Sequence, residues 1–138
     1  MISGKLRLPG LYVLDKGQVL FMLREKVISY IRDELKIEES YPWKKYPDYM
    51  VFRENDHDKW FAVIMTIKGS SLGIYDRMWV DILNVKGDPV MISFLRGRAG
   101  FYSAWHMNKD HWISILLDGS VDMAEIIPLI DGSLALTK

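Results

Sequence analysis

No cysteine occurs among the 138 residues. That excludes disulfides, thiolate nucleophiles and Cys-ligated zinc or iron–sulfur centres, and it fits a reducing cytoplasm. No apolar run approaches the ~18 residues of a membrane span. Met1 to Gly10 carries Lys5, Arg7 and Pro9 but no apolar centre, so it does not read as a secretory signal. Excess charge of one sign is missing too. Lys plus Arg number 18 and Asp plus Glu 18, giving a formal net charge of zero. A bulk-basic nucleic-acid binder is thereby disfavoured, and any basic surface must be a local patch. There is no repeat, low-complexity tract or linker. What is present is an ordinary globular balance, 49% hydrophobic and 26% charged, in a chain the length of one domain.

The periodicity then sorts the chain into elements. Leu11 to Leu14 reads as a short strand after the Pro9-Gly10 turn signal. Asp15 reads as an N-cap, and Gln18 to Lys36 as a helix, with Leu20, Leu23, Val27, Ile31 and Leu35 at spacings of three and four. Acids and bases interleave along that helix (Arg24, Glu25, Arg32, Asp33, Lys36), as on a solvated face. Ser40 to Asp48 holds two prolines and is not helical throughout. Tyr49 to Arg53 and Lys59 to Lys68 read as strands of a β-hairpin about the polar turn Asn55 to Asp58. Met78 to Lys86 reads as a third strand, interrupted by Asp81 and Asn84. Asp88-Pro89 opens a helix ending by Gly97, with Asp as cap and Pro at the first position. Arg98 to Asp110 reads as irregular, His111 to Leu117 as a fourth strand, and Asp122 to Asp131 as a last helix with Pro128 as a possible kink.

This order predicts an α+β domain: a two-layer sandwich, with an antiparallel sheet of about four or five strands and helices mostly on one face.

Four motifs carry a resemblance. Tyr41-Pro42-Trp43, Lys59-Trp60-Phe61-Ala62, Val85-Lys86-Gly87-Asp88-Pro89 and His106-Met107-Asn108-Lys109-Asp110-His111-Trp112-Ile113 stand in this order. In order and spacing they resemble the MmcQ/YjbR family. The match runs from roughly Val19 to Thr137. It implies a YjbR-like domain over residues 18–138, with residues 1–17 as a lead-in outside the family core. It also implies a compact two-layer fold likened to that of bacterial frataxin, and a DNA-binding role through a proposed double-wing surface. It brings no catalytic residues and no cofactor.

Candidate sites are read with their structural alternatives open. In the segment from His106 to Trp112, His106, Asn108 and Lys109 form either a ligand or phosphate contact or a turn leading into the fourth strand. The two histidines of that segment, His106 and His111, lack the close helical spacing of a zinc pair, so no metal site is expected. Arg96 and Arg98, in a basic glycine loop ending at Gly100, either cradle a phosphate or face the helix dipole at a capped end. Without a Lys-Ser/Thr ending the loop is no nucleotide-hydrolysing motif. Lys44 and Lys45 lie among Tyr41, Trp43 and Tyr46, either as a single-stranded nucleic-acid platform or as lysine stems packed over rings. Lys86 sits where an anion would meet the next helix start. Trp60, Trp105 and Trp112 read as core. Ser29, Ser93, Ser103 and Ser133 sit in no nucleophile-elbow context, and Asp81, Asp88 and Asp110 form no acid–base pair, so no catalytic constellation is recognised.

Two functions follow as expectations. One is a small cytoplasmic DNA-binding module. The other is a domain for an anionic small ligand or a protein partner, with no membrane role. The distribution of the basic side chains separates them: one continuous stripe, or isolated charges.

Overall fold

The structure is a computed structural model. It describes residues 23–74 and 78–138, together with the backbone of strands at 2–8, 11–14 and 19–21. β1 (Ile2–Leu8), β2 (Leu11–Leu14) and β3 (Val19–Phe21) pair antiparallel as a small sheet. β2 is the short strand expected from sequence. The principal sheet has six strands in the order β4-β5-β6-β7-β9-β8. They are β4 (Glu39–Ser40), β5 (Met50–Arg53), β6 (Trp60–Lys68), β7 (Trp79–Lys86), β8 (Phe101–Ser103) and β9 (Trp112–Leu116). Every neighbouring pair is antiparallel. Among the described residues, three α-helices accompany the sheets: α1 (Leu23–Ser29), α2 (Pro89–Leu95) and α3 (Met123–Leu136). The α+β class, the antiparallel sheet and its hairpin are as the sequence predicts. β4 and β8 are short edge strands that raise the strand number.

The sheet is buried on both faces, by different means. On one, Val27, Ile28 and Ile31 of the first helical segment, Ile92 and Leu95 of α2, and Ile126 and Ile130 of α3 pack on Phe52, Ile64, Leu83, Val85, Ile113 and Ile115. On the other, Val51, Val63, Met65, Ile82, Trp112 and Leu116 are covered by loop residues that include Trp43, Tyr49, Trp105 and Met107. Successive side chains on a strand alternate between faces. A central strand buried on both therefore reads as the continuous apolar run seen in Phe61 to Met65.

A bulge breaks that alternation once. Phe52 pairs with Ala62 but Arg53 pairs with Trp60, which leaves Phe61 as an extra residue in β6. Phe61 and Ala62 consequently both join the helix-side core. The Phe61 carbonyl accepts the Ser133 hydroxyl of α3 (2.6 Å), and that hydroxyl accepts the backbone N–H of Lys86 (2.8 Å).

Two helices depart from expectation. The predicted helix from Gln18 to Lys36 begins only at Leu23, because Val19–Phe21 is a strand paired with Leu11–Val13. Leu20 satisfies helical spacing, but the run Val19-Leu20-Phe21 suits a pleated strand and finds a partner there. Asp15, the expected cap, lies outside the described residues. The same helix loosens into a π-turn over Tyr30–Glu34 and stops at Lys36, whose φ of +58° is left-handed. At the C-terminus, α3 extends to Leu136 rather than stopping at Asp131. The tertiary bonds of Ser133 hold the additional turn.

The start of α2 is as the sequence predicts. Asp88 is the N-cap, and its Oδ1 accepts the backbone N–H groups of Val90 (3.1 Å) and Met91 (3.0 Å), with Pro89 at the first position. Asp88→Ala should lower stability by about 1 kcal/mol, within the ~0.5–2 kcal/mol range of such caps. Thermal unfolding checks this. Any ligand affinity measured well below the transition should be unchanged.

Candidate nucleic-acid interface

The helix-free face carries a row of aromatic rings. Residues 41–49, with Pro42 and Pro47, run as successive tight turns: Tyr46 N–H donates to the Trp43 carbonyl (3.3 Å) and Tyr49 N–H to the Tyr46 carbonyl (3.1 Å). In turns of this i→i+3 kind, residues three apart lie on the same side. Trp43, Tyr46 and Tyr49 have that spacing, and their rings meet. Tyr46 stacks on Tyr49 with centroids 4.7 Å apart and planes at 7°. Tyr49 meets Trp43 edge-on at 5.8 Å, and Trp43 meets Trp60 of β6 edge-on at 5.5 Å. Burial, then the nearby Tyr46 hydroxyl, raises the Tyr49 hydroxyl above the ordinary tyrosine pKa.

Lysines accompany the row. Lys44 and Lys45 are exposed between Trp43 and Tyr46, and the Lys45 ammonium lies 5.7 Å from the Tyr46 ring centre. Lys86 ends β7 opposite Trp112, with its ammonium 5.4 Å from the centre of that ring. Burial, then the charge of Lys59, lowers its pKa below the ordinary lysine value. Among the described residues, none of Lys44, Lys45, Lys59 and Lys86 forms an ion pair.

His106, Asn108 and Lys109 belong to the loop at 104–111 that covers the same face. Asn108 Oδ1 accepts the N–H groups of Asp110 (2.9 Å) and His111 (3.2 Å), and Lys109 Nζ donates to the Ala104 carbonyl (2.8 Å). Both side chains thus shape the loop itself. His106 is exposed, has a φ of +58°, and lies edge-on to Trp105 at 4.5 Å. The loop is tied to the sheet by Asn84, which is fully buried. Its Nδ2 donates to the Trp105 carbonyl (3.1 Å), and its Oδ1 accepts the hydroxyl of Ser114. The Ser114 hydroxyl also accepts the N–H of Trp105 (2.9 Å).

Arg96 and Arg98 are not part of the aromatic row. Arg98 is held by both carboxylate oxygens of Glu125, one at 3.0 Å, and its guanidinium lies 5.3 Å from the Phe101 ring centre. The N–H groups of Arg96, Gly97, Arg98 and Phe101 all donate within the chain. Gly100 has a φ of +89°, and a Cβ there would stand 2.6 Å from Val121 Cγ2, so the glycine serves close packing. Arg96 lines a separate cavity of about 420 Å³ with Ser71, Leu72 and Tyr102. Nor is the start of α2 open to an anion alongside Lys86, since the Asp88 carboxylate takes its N–H groups.

The basic residues therefore divide. Lys44, Lys45 and Lys86 share the aromatic face with His106, Asn108 and Lys109, while Arg98 is bound by Glu125 and Arg96 lines its own cavity beside Leu72 and Tyr102. Lys59, Trp60 and Trp79 were not singled out as site residues from sequence. The Lys-Trp pair at 59–60 was visible as a motif, but no local spacing places Trp60 against Trp43. Among the described residues no three His, Asp or Glu side chains gather as a metal site, and no helix is long and apolar enough to cross a membrane.

A twisted antiparallel sheet with helices on one face and an aromatic, lysine-bearing loop layer on the other is the class of domain these observations define. The YjbR family model matches residues 35–136, and the chain belongs to the YjbR family. It is 35% identical over 117 residues to the uncharacterized protein YyaQ of Bacillus subtilis (strain 168), covering 85% of this chain and 99% of that one. A crystal structure of a Pseudomonas syringae protein is similar with a TM-score of 0.81 and 41% identity, over 83% of this chain and 98% of that one. A Deinococcus radiodurans protein shares the fold at a TM-score of 0.63 and 21% identity, over 84% of this chain and 78% of that one.

Proposed function

We propose that this domain binds nucleic acid, DNA by the family resemblance, on the helix-free face. The observation that supports the reading is the contiguous row Tyr46–Tyr49–Trp43–Trp60 accompanied by lysines that no carboxylate neutralises. Rings offer stacking surfaces to any base, and ammonium groups follow the phosphates. Four arginines, by contrast, are paired. Arg24, Arg32, Arg53 and Arg98 all face carboxylates.

Fluorescence anisotropy with a labelled 12-nucleotide DNA, single-stranded and duplex, tests it at low and moderate salt. Each phosphate contact contributes roughly 0.7–0.9 to the slope of log K against log salt. Replacing Lys44, Lys45 and Lys86 together by Ala should lower that slope by about 2–3 and leave the melting temperature nearly unchanged. Absent binding, binding indifferent to salt, or an unaltered slope in the triple variant overturns the proposal. Should Lys86→Ala alone destabilise the fold and spare binding, Lys86 is structural and the interface is confined to the 41–49 loop.

A further inference from the structure

The aromatic row ends at a cavity of about 310 Å³ whose walls include Lys45, Tyr46, Asp48, Tyr49, Thr66 and Trp79. We infer that this cavity receives one unpaired base of a single-stranded nucleic acid, and that its polar groups favour a base edge rich in N–H donors. The inference rests on the nucleic-acid reading above.

Three observations carry it. First, the walls are rings with much of their surface open: Tyr46 is 43% and Trp79 54% exposed. Exposed rings at the mouth of one concavity, with few convergent polar groups, have the form of a ligand pocket. Second, each of those two rings has an ammonium group over it. Lys45 Nζ lies 5.7 Å from the Tyr46 centroid and Lys68 Nζ 5.8 Å from that of Trp79. Tyr49 takes one face of Tyr46, so a base would stack on Trp79 and meet the rim of Tyr46, with a cation beside each ring for its flanking phosphates. Third, the lining holds two acceptors, from Asp48 and Thr66, beside the donors of Lys45 and the tyrosines. Asp48 offers a carboxylate, and the Thr66 hydroxyl already donates to Asp81 Oδ1 (2.8 Å), which leaves its lone pairs as acceptors. A carboxylate suits the paired N1–H and N2–H donors of guanine better than the acceptor edge of thymine. A base within a duplex presents neither face nor pairing edge to such a cavity, so the occupant is an unpaired base.

The test compares wild type, the Lys44/Lys45/Lys86→Ala variant and Trp79→Ala on a single-stranded 12-mer and its duplex. Asp48→Asn is assayed on oligothymidine with and without one central guanine. Trp79→Ala should weaken single-strand binding about tenfold or more, the scale of a lost base–ring stack, and leave duplex binding unchanged. Thermal unfolding confirms that each variant folds. Asp48→Asn should abolish any preference for the guanine-bearing strand; a preference retained in that variant overturns the base-edge assignment. Equal loss on both substrates with Trp79→Ala, or no loss while the triple lysine variant does lose affinity, overturns the cavity and spares the nucleic-acid reading. If wild type binds neither substrate, both readings fall.

Discussion

Asn84→Ala should lower the unfolding free energy by about 2–4 kcal/mol, because each buried polar group left without a partner costs ~1–3 kcal/mol. Asn84 is fully buried in β7, and its amide serves both the Trp105 carbonyl and the Ser114 hydroxyl. Removing it strips the carbonyl of its donor and the hydroxyl of its acceptor. Urea denaturation measures the effect, and a loss below about 0.5 kcal/mol, less than one ordinary hydrogen bond, would show that neither bond matters. The loop at 104–111 should also loosen. Trp105 and Met107 pack on this face, so the Trp105 amide should exchange its proton faster in the variant.

Ser133→Ala should cost about 1–3 kcal/mol for similar reasons. The bulge at Phe61 leaves a strand carbonyl without a ladder partner, and the Lys86 N–H lies at the end of the β7 ladder. One hydroxyl from α3 satisfies both. Alanine fills nearly the same space and supplies neither bond, so the loss reports polar satisfaction rather than a cavity. Ser133→Thr keeps the hydroxyl and should recover part of the loss, limited by the space for its methyl group. Equal stability of Ser133→Ala and wild type by urea denaturation would refute the account. The consequence reaches the candidate interface, since the Lys86 backbone held by Ser133 aims the Lys86 ammonium at Trp112.

Much of the fold was legible from local rules. The apolar runs at 50–53, 60–68 and 79–86, rich in β-branched and aromatic residues and bounded by polar turns, read as strands, and they stay apolar throughout because alternate residues enter two different buried layers. Asp88 with Pro89 marks a helix start because the carboxylate and the missing N–H solve the same problem of unpaired donors. The three-residue spacing of Trp43, Tyr46 and Tyr49 was equally present in the sequence. It signifies a row of rings only once the segment, with Pro42 before the row and Pro47 within it, folds into successive i→i+3 turns. β8 was hidden because three residues are too few to establish a period, and they pair only because β9 presents an edge to them.

Composition, periodicity and capping by themselves determined the α+β class, the hairpin, the cap of α2 and the kinship carried by the motifs. All of these depend on neighbours a few residues apart. The tertiary structure alone decided that Val19–Phe21 is a strand, that Glu125 neutralises Arg98 across 27 residues of chain, and that Trp60 closes the ring row begun by Trp43. It also decided that Asn108 and Lys109 are engaged within their loop while Lys44, Lys45, Lys59 and Lys86 stay unpaired. The free charge of a side chain depends on which opposite charge folding brings within a few ångströms, and screening in water removes influence from charges farther away. No local pattern encodes that distance.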